Sequence, residues 1–160
     1  MPNDLPDVAQ VLAGILARVD ERERALLIAI AERMAADRYR GWAGDPANAA
    51  HATALRACAE REERIAARVE GLYADAAARQ RALVDAHPDL PEINRTLFAG
   101  RPFGAQFAIQ AGGERLGAAT WRALASREED ARRREVLLSC APLEEESAAV
   151  LEAIVGATMR

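Results

Sequence analysis

The chain has 160 residues, 51% of them hydrophobic by a broad count and 4% aromatic, with a formal charge of −4. That length suits one domain with a substantial core, and a mix rich in alanine and leucine favours closely packed helices over a sheet. Two cysteines exclude a disulfide framework, no CxxC pair is present, and the longest apolar stretch, residues 25–31, is too short to span a bilayer.

Taken in chain order, the opening segment MPNDLPD is acidic and places no basic region before an apolar core. No secretory signal is therefore expected, and a cytoplasmic location is. A short lead-in helix is expected over 6–18. Asp20 with Glu23 forms a capping-box pattern that opens a long helix over about 21–43. Gly44-Asp45-Pro46 stops it; Asp45 as N-cap and Pro46 at the first helical position start a second long helix, running to about 74. A helical continuation is expected near 75–86. Residues 87–104 carry three prolines and two glycines and cannot be one regular helix, although 88–99 reads as a second lead-in helix. A third long helix covers about 104–125, and Ser126 with Glu129 makes a capping box for a fourth, about 127–155. Gly112-Gly113 within the third predicts either a close helix neighbour or an irregular turn. Pro142 removes a backbone hydrogen bond from the fourth, two residues before Glu144, and predicts a bend that re-aims Glu144, frees a carbonyl or is without consequence. No segment shows a strand pattern.

The chain repeats itself at an offset of 82. ERMAADRYRGWA (32–43) lies on ERLGAATWRALA (114–125) with five of twelve positions identical. LRACAEREERIAARVE (55–70) lies on LLSCAPLEEESAAVLE (137–152) with eight of sixteen identical, Cys58 matching Cys140. Alanine bias alone does not align Glu, Arg and Cys together. An internal duplication follows, with repeats at about 6–74 and 88–156 inside a single domain spanning 1–160. Each repeat is a lead-in helix followed by a long helical hairpin.

Every long helix carries one glutamate on the stripe it should bury. The faces run Ile28-Glu32-Ala35-Tyr39-Trp42, Leu55-Cys58-Glu62-Ile65-Val69, Gln110-Glu114-Gly117-Trp121-Leu124 and Leu137-Cys140-Glu144-Ser147-Leu151, at alternating steps of three and four. Residues equidistant from the turn of an antiparallel hairpin sit level. Glu32 and Glu62 centre on position 47 and Glu114 and Glu144 on 129, both beside their turns. The axial mismatch is roughly 2–5 Å per pair at the helical rise, so the four carboxylates are predicted to meet in one layer. Buried without partners, ionised carboxylates are costly and their mutual repulsion raises their pKa values. Cations, shared protons or arginine partners would resolve this; iron, manganese, magnesium and calcium are the metals that suit oxygen ligands.

With those residues in place the chain resembles the ferritin-like superfamily, in particular its rubrerythrin-like members, over about 21–155. The resemblance implies an all-α, ferritin-like four-helix bundle built from two duplicated hairpins. It also implies a metal site at Glu32, Glu62, Glu114 and Glu144, holding iron or manganese. The family places one Glu on each of two helices and Glu-x-x-His on each of the other two. Here Glu62-x-x-Ile65 and Glu144-x-x-Ser147 stand in the Glu-x-x-His positions, His51 lies eleven residues before Glu62, and His87 is in the linker. The site is therefore expected to be carboxylate-only, without the imidazoles that accompany the family's redox chemistry.

The alternative is a non-catalytic helical scaffold or partner-binding module, without metal, in which Arg33, Arg40, Arg115 and Arg122 pair with the glutamates. Cys58, Cys140, Tyr39 and Trp121 are expected to fill core. Arg132-Arg133-Arg134, flanked by Glu128, Glu129, Asp130 and Glu135, reads as a solvated helix face rather than a nucleic-acid patch. No Ser-His-Asp set, glycine-rich phosphate loop or P-loop is present, so no catalytic residue or substrate is assigned. A homo-oligomer, taken as a dimer, is expected because the lead-in helices carry apolar residues that need covering. No membrane or nucleic-acid partner is.

Overall fold

The computed structural model describes residues 4–158; residues 1–3, the start of the segment read above for a secretory signal, and 159–160 lie outside the described residues. Seven α-helices follow one another: α1 (Val8–Leu16), α2 (Arg24–Gly44), α3 (Ala52–Glu70), α4 (Ala76–Ala86), α5 (Leu90–Phe98), α6 (Phe103–Arg127) and α7 (Ala131–Thr158). No strand occurs among the described residues. Nor, among them, is any helix long and apolar enough to cross a membrane.

Side-chain oxygens set most of the helix starts. Asp7 accepts from Gln10 N at 3.0 Å to open α1. Asp20 accepts from Arg22 N at 2.9 Å, so it caps as expected, but Glu21–Glu23 form a 3-10 turn before α2 begins. Asp45 likewise accepts from Ala47 N at 2.8 Å and opens a 3-10 stretch, Pro46–His51, that leads into α3. Buried Asn48 ties this stretch back by donating to Trp42 O at 3.0 Å. The expected cap at Ser126 is not used. Its hydroxyl bonds back to Ala123 O at 2.7 Å, as hydroxyls inside helices do, and α6 continues to Arg127. Asp130 takes the cap, accepting from Arg133 N at 2.8 Å. Arg133 and Arg134 of the basic cluster close this turn, donating to Leu72 O at 2.7 Å and Glu128 O at 2.8 Å.

The four long helices pair as hairpins, α2 with α3 and α6 with α7, and the hairpins meet along α3 and α7. Their interior holds two apolar clusters. One gathers Ile28, Ile65, Val69, Trp121 and Leu137 around small alanines; the other gathers Tyr39, Trp42, Leu55, Phe107 and Leu151. Between the two lies the level of the four glutamates. A third cluster, with Leu26 and Leu27 of α2, Leu83 of α4 and Leu90 at the start of α5, packs the connecting helices on the outside. α1 lies against α6, and Arg18 forks to both oxygens of Asp89 at 2.7 and 2.9 Å, fixing α1 to the start of α5.

The sequence offset reappears in space. Shifted by 82, α1 superimposes on the residue range of α5. The exposed ion pairs Arg33–Glu70 and Arg40–Glu63 likewise shift onto Arg115–Glu152 and Arg122–Glu145. Pro142 does not end α7, which runs unbroken through it. Arg68 of α3 donates to Ser139 O at 3.0 Å, one turn before the proline, placing a cationic donor beside the stretch whose backbone bonding the proline interrupts.

Candidate functional site

Glu32, Glu62, Glu114 and Glu144 are 7, 0, 1 and 1% exposed, each from the middle of its own long helix. The three-four spacing puts them on the inward stripe, and equal distances from the two turns set them at one height. Glu32, Glu62 and Glu144 each present an oxygen within 4.8 Å of the other two. One ion holds two oxygens no further apart than twice its bond length, so 4.8 Å admits bonds of about 2.4 Å as the side chains stand, and shorter bonds need them to turn inward. Among the described residues no other set of three His, Cys, Asp or Glu side chains converges as closely. Glu114 stands beside them, against Glu144.

Each acid except Glu32 has one oxygen held by a donor from another side chain. Glu114 Oε1 accepts from Tyr39 Oη at 2.6 Å and Gln110 Nε2 at 2.7 Å. Glu144 Oε1 accepts from Trp121 Nε1 at 2.6 Å. Glu62 Oε1 accepts from Ser147 Oγ at 3.0 Å, while Glu62 Oε2 is buried with no partner at all. An unpartnered buried carboxylate oxygen is a costly feature, and its neighbours here are two more acids. Gly117 is part of the arrangement. A Cβ at this position would lie 2.6 Å from Glu144 Oε1 and 2.8 Å from its Cδ, so the missing side chain is the space the carboxylate occupies.

Burial dominates the electrostatics. It lifts Glu32 from 4.5 to about 7, opposed by hydrogen bonding with Glu62 and Glu144 and reinforced by the Glu114 charge. Burial followed by neighbouring acid charges pushes Glu62 and Glu144 well above the usual carboxylate range. Tyr39 is held well above its ordinary value by the same causes, so its hydroxyl remains a donor. The arginines expected as partners go elsewhere: Arg33, Arg40, Arg115 and Arg122 bind Glu70, Glu63, Glu152 and Glu145 on the outside. The guanidinium nearest the layer is Arg38, which burial lowers to about 10. It donates to Gln110 Oε1 at 2.6 Å and to Asn94 Oδ1, and its face stacks on Phe98, 3.8 Å from the ring centre. By hydrogen bond Arg38 therefore reaches the acids only through Gln110, while its charge acts directly on Glu32.

No family model matches the chain, and no curated protein or solved structure matches it.

The chemistry of the site rests on its own atoms. Three carboxylates that converge, one of them with an oxygen left without a partner, fit a hard or borderline divalent cation. No imidazole stands in the layer. His87 faces Arg18 at the surface, its Nδ1 3.1 Å from the guanidinium, and His51 ends the 3-10 stretch before α3. Cys58 and Cys140 are fully buried free thiols, as expected of core residues. Tyr39 and Trp121 are core too, but they also donate into the layer, a role their apolar bodies conceal. Ser147 and Gln110 occupied inward positions in the sequence without a visible purpose, and Arg38 gave no signal. The pair Gly112-Gly113 neither breaks α6 nor admits a close neighbour: a Cβ at either meets nothing within 4 Å.

Proposed function

We propose that this chain is a ferritin-like four-helix bundle, descended from a duplicated hairpin, whose layer of Glu32, Glu62, Glu114 and Glu144 binds one or two divalent cations, iron or manganese foremost. One observation carries the proposal: Glu62 Oε2, buried and unpartnered, in a triad of carboxylates that one ion would span. The matched ranges of α1 and α5 and the ion pairs repeated at the same offset support the duplication. In this assignment Glu32, Glu62 and Glu144 supply the first ligands and Glu114 the next. Tyr39, Gln110, Trp121 and Ser147 each hold one oxygen of an acid, leaving the others to turn toward the ion. Loading displaces protons, because carboxyls whose pKa burial has raised must ionise to become ligands. A bound cation would supply Lewis acidity and charge neutralisation. With no imidazole in the layer, the function proposed is cation binding rather than the oxygen chemistry of the resembled family.

Elemental analysis of protein purified without chelator, together with melting in manganese, iron(II) or EDTA, tests this. Bound metal and a melting rise equivalent to about 3 kcal/mol at a hundredfold excess over Kd are expected. Glu62→Ala and Glu144→Ala should abolish both. Equal metal content and equal stability in those variants would overturn the proposal.

A second assignment draws on the same donors. With one oxygen of three acids already satisfied and Glu32 within reach of Glu62 and Glu144, shared protons alone would complete the layer of a non-catalytic scaffold. Absence of metal, and stabilisation by Glu62→Gln without any cation response, is its signature.

A further inference from the structure

Beneath α1 and α5, and above α2 and α6, lies a cavity of about 180 Å³. Its walls are aliphatic, with Leu12 and Ile15 from α1, Ile93 and Leu97 from α5, and Met34 and Ile109 below. Its inner end is acidic, formed by Glu32, Glu114 and Glu144. Gly113 makes part of the space: its missing side chain leaves a point from which no atom lies within 4 Å of an added Cβ. The hollow is half open to solvent and ends on acids that are themselves almost fully buried. An apolar space of about 150 Å³ takes up molecules of benzene size.

The polar end limits what the occupant carries. Three acids outnumber the single guanidinium, and Arg38 already spends its donors on Gln110 and Asn94 and its face on Phe98. An anionic head would give up its hydration with no free cationic side chain to meet it, since Arg38 is already occupied. A cationic head would compete for the layer that metal ions are proposed to fill. A hydroxyl or carbonyl meets neither obstacle and finds carboxyl oxygens to bond. A protein segment is a poor match, because the acidic floor is reached only through a hollow sized for a few atoms.

We propose that this cavity binds a small uncharged molecule, with an apolar body of about six to eight heavy atoms and one hydroxyl or carbonyl group seated at Glu32 and Glu114. The proposal stands whether the acid layer holds metal or protons.

Hexan-1-ol is the probe, titrated by calorimetry into the full chain, once in EDTA and once with manganese. Saturable one-to-one binding is expected in both. In EDTA, where no cation can recruit a carboxylate, hexanoate and hexylamine should bind at least tenfold more weakly, and the three are compared there. Gly113→Leu should weaken hexan-1-ol at least tenfold without lowering the melting temperature, since it fills open space and removes a glycine from a helix interior. Val11→Trp, from the opposite wall, should act likewise. Gly112→Leu, on the exposed neighbouring face, should bind as the parent does. The proposal is overturned by absence of saturable binding, by unchanged binding in both blocking variants, or by tighter binding of hexylamine or hexanoate. It is also overturned if light scattering shows a dimer that hexan-1-ol and Gly113→Leu both split, for a second copy would then be the occupant.

Discussion

Glu32→Gln separates the pH dependence of the buried acid layer from that of the molecular surface. In the native chain Glu32 titrates near 7 against an ordinary 4.5. Below pH 4.5 both folded and unfolded chains hold this proton, and the group is neutral to stability. Between 4.5 and 7 the unfolded chain releases it while the folded chain retains it, so stability falls as pH rises, and above 7 the loss is complete. The gap is worth about 3 kcal/mol at 1.36 kcal/mol per pH unit. For a domain of this size that is a fall in Tm of about 6–12 °C. The amide has the carboxyl's shape and no titration. In EDTA, then, the stability difference between Glu32→Gln and the parent should be small at pH 4.5 and grow to about 3 kcal/mol in favour of the variant by pH 7.5. Urea denaturation followed by circular dichroism at five pH values measures it. Surface ion pairs titrate alike in both proteins and cancel from the difference. With manganese bound the sign should reverse, because the ion needs the ionised form and the amide lacks it. A pH-independent difference in EDTA would refute the view that burial governs this carboxyl.

Gly117→Ala should destabilise by up to about 2 kcal/mol in urea titrations, since displacing Glu144 from Trp121 costs about 1–3 kcal/mol and the helix-propensity gain returns about 1. Gly112→Ala on the same helix, with open space at its Cβ, should gain about 0.5–1 kcal/mol by the same measurement. Ser147→Ala leaves both oxygens of Glu62 without a donor and should cost about 1–3 kcal/mol in EDTA, a loss that manganese shrinks if the cation takes over the freed oxygen. Equal losses with and without manganese would argue against Glu62 as a ligand.

Local and periodic information is what the sequence by itself determined. Asp20 and Asp45 could be recognised as caps because a cap bond spans only two or three residues and depends on a short side chain with an oxygen. The glutamates could be placed inside because helical spacing fixes the face, and level because the distance to a turn fixes height; both are properties of one helix or one hairpin. Ser126 shows where this stops: it carries a capping-box pattern, yet α6 runs past it to Arg127 and Asp130 takes the cap in a turn that Arg134 closes.

The tertiary structure decided which groups meet. Tyr39 and Trp121 hold equivalent positions in the repeat, yet Tyr39 reaches across to Glu114 of the other hairpin while Trp121 serves Glu144 of its own. A phenol donates from the tip of its ring and an indole from its edge, so equal placement leads to different partners. Ser147 bonds not to the acid on its own helix but to Glu62 across the α3–α7 contact. The arginines beside the acids turn outward, because surface pairing leaves their charge in water and inward pairing would not. The cavity had no sequence signature at all: it is the volume that α1, α2, α5 and α6 fail to fill together, and a void belongs to no residue.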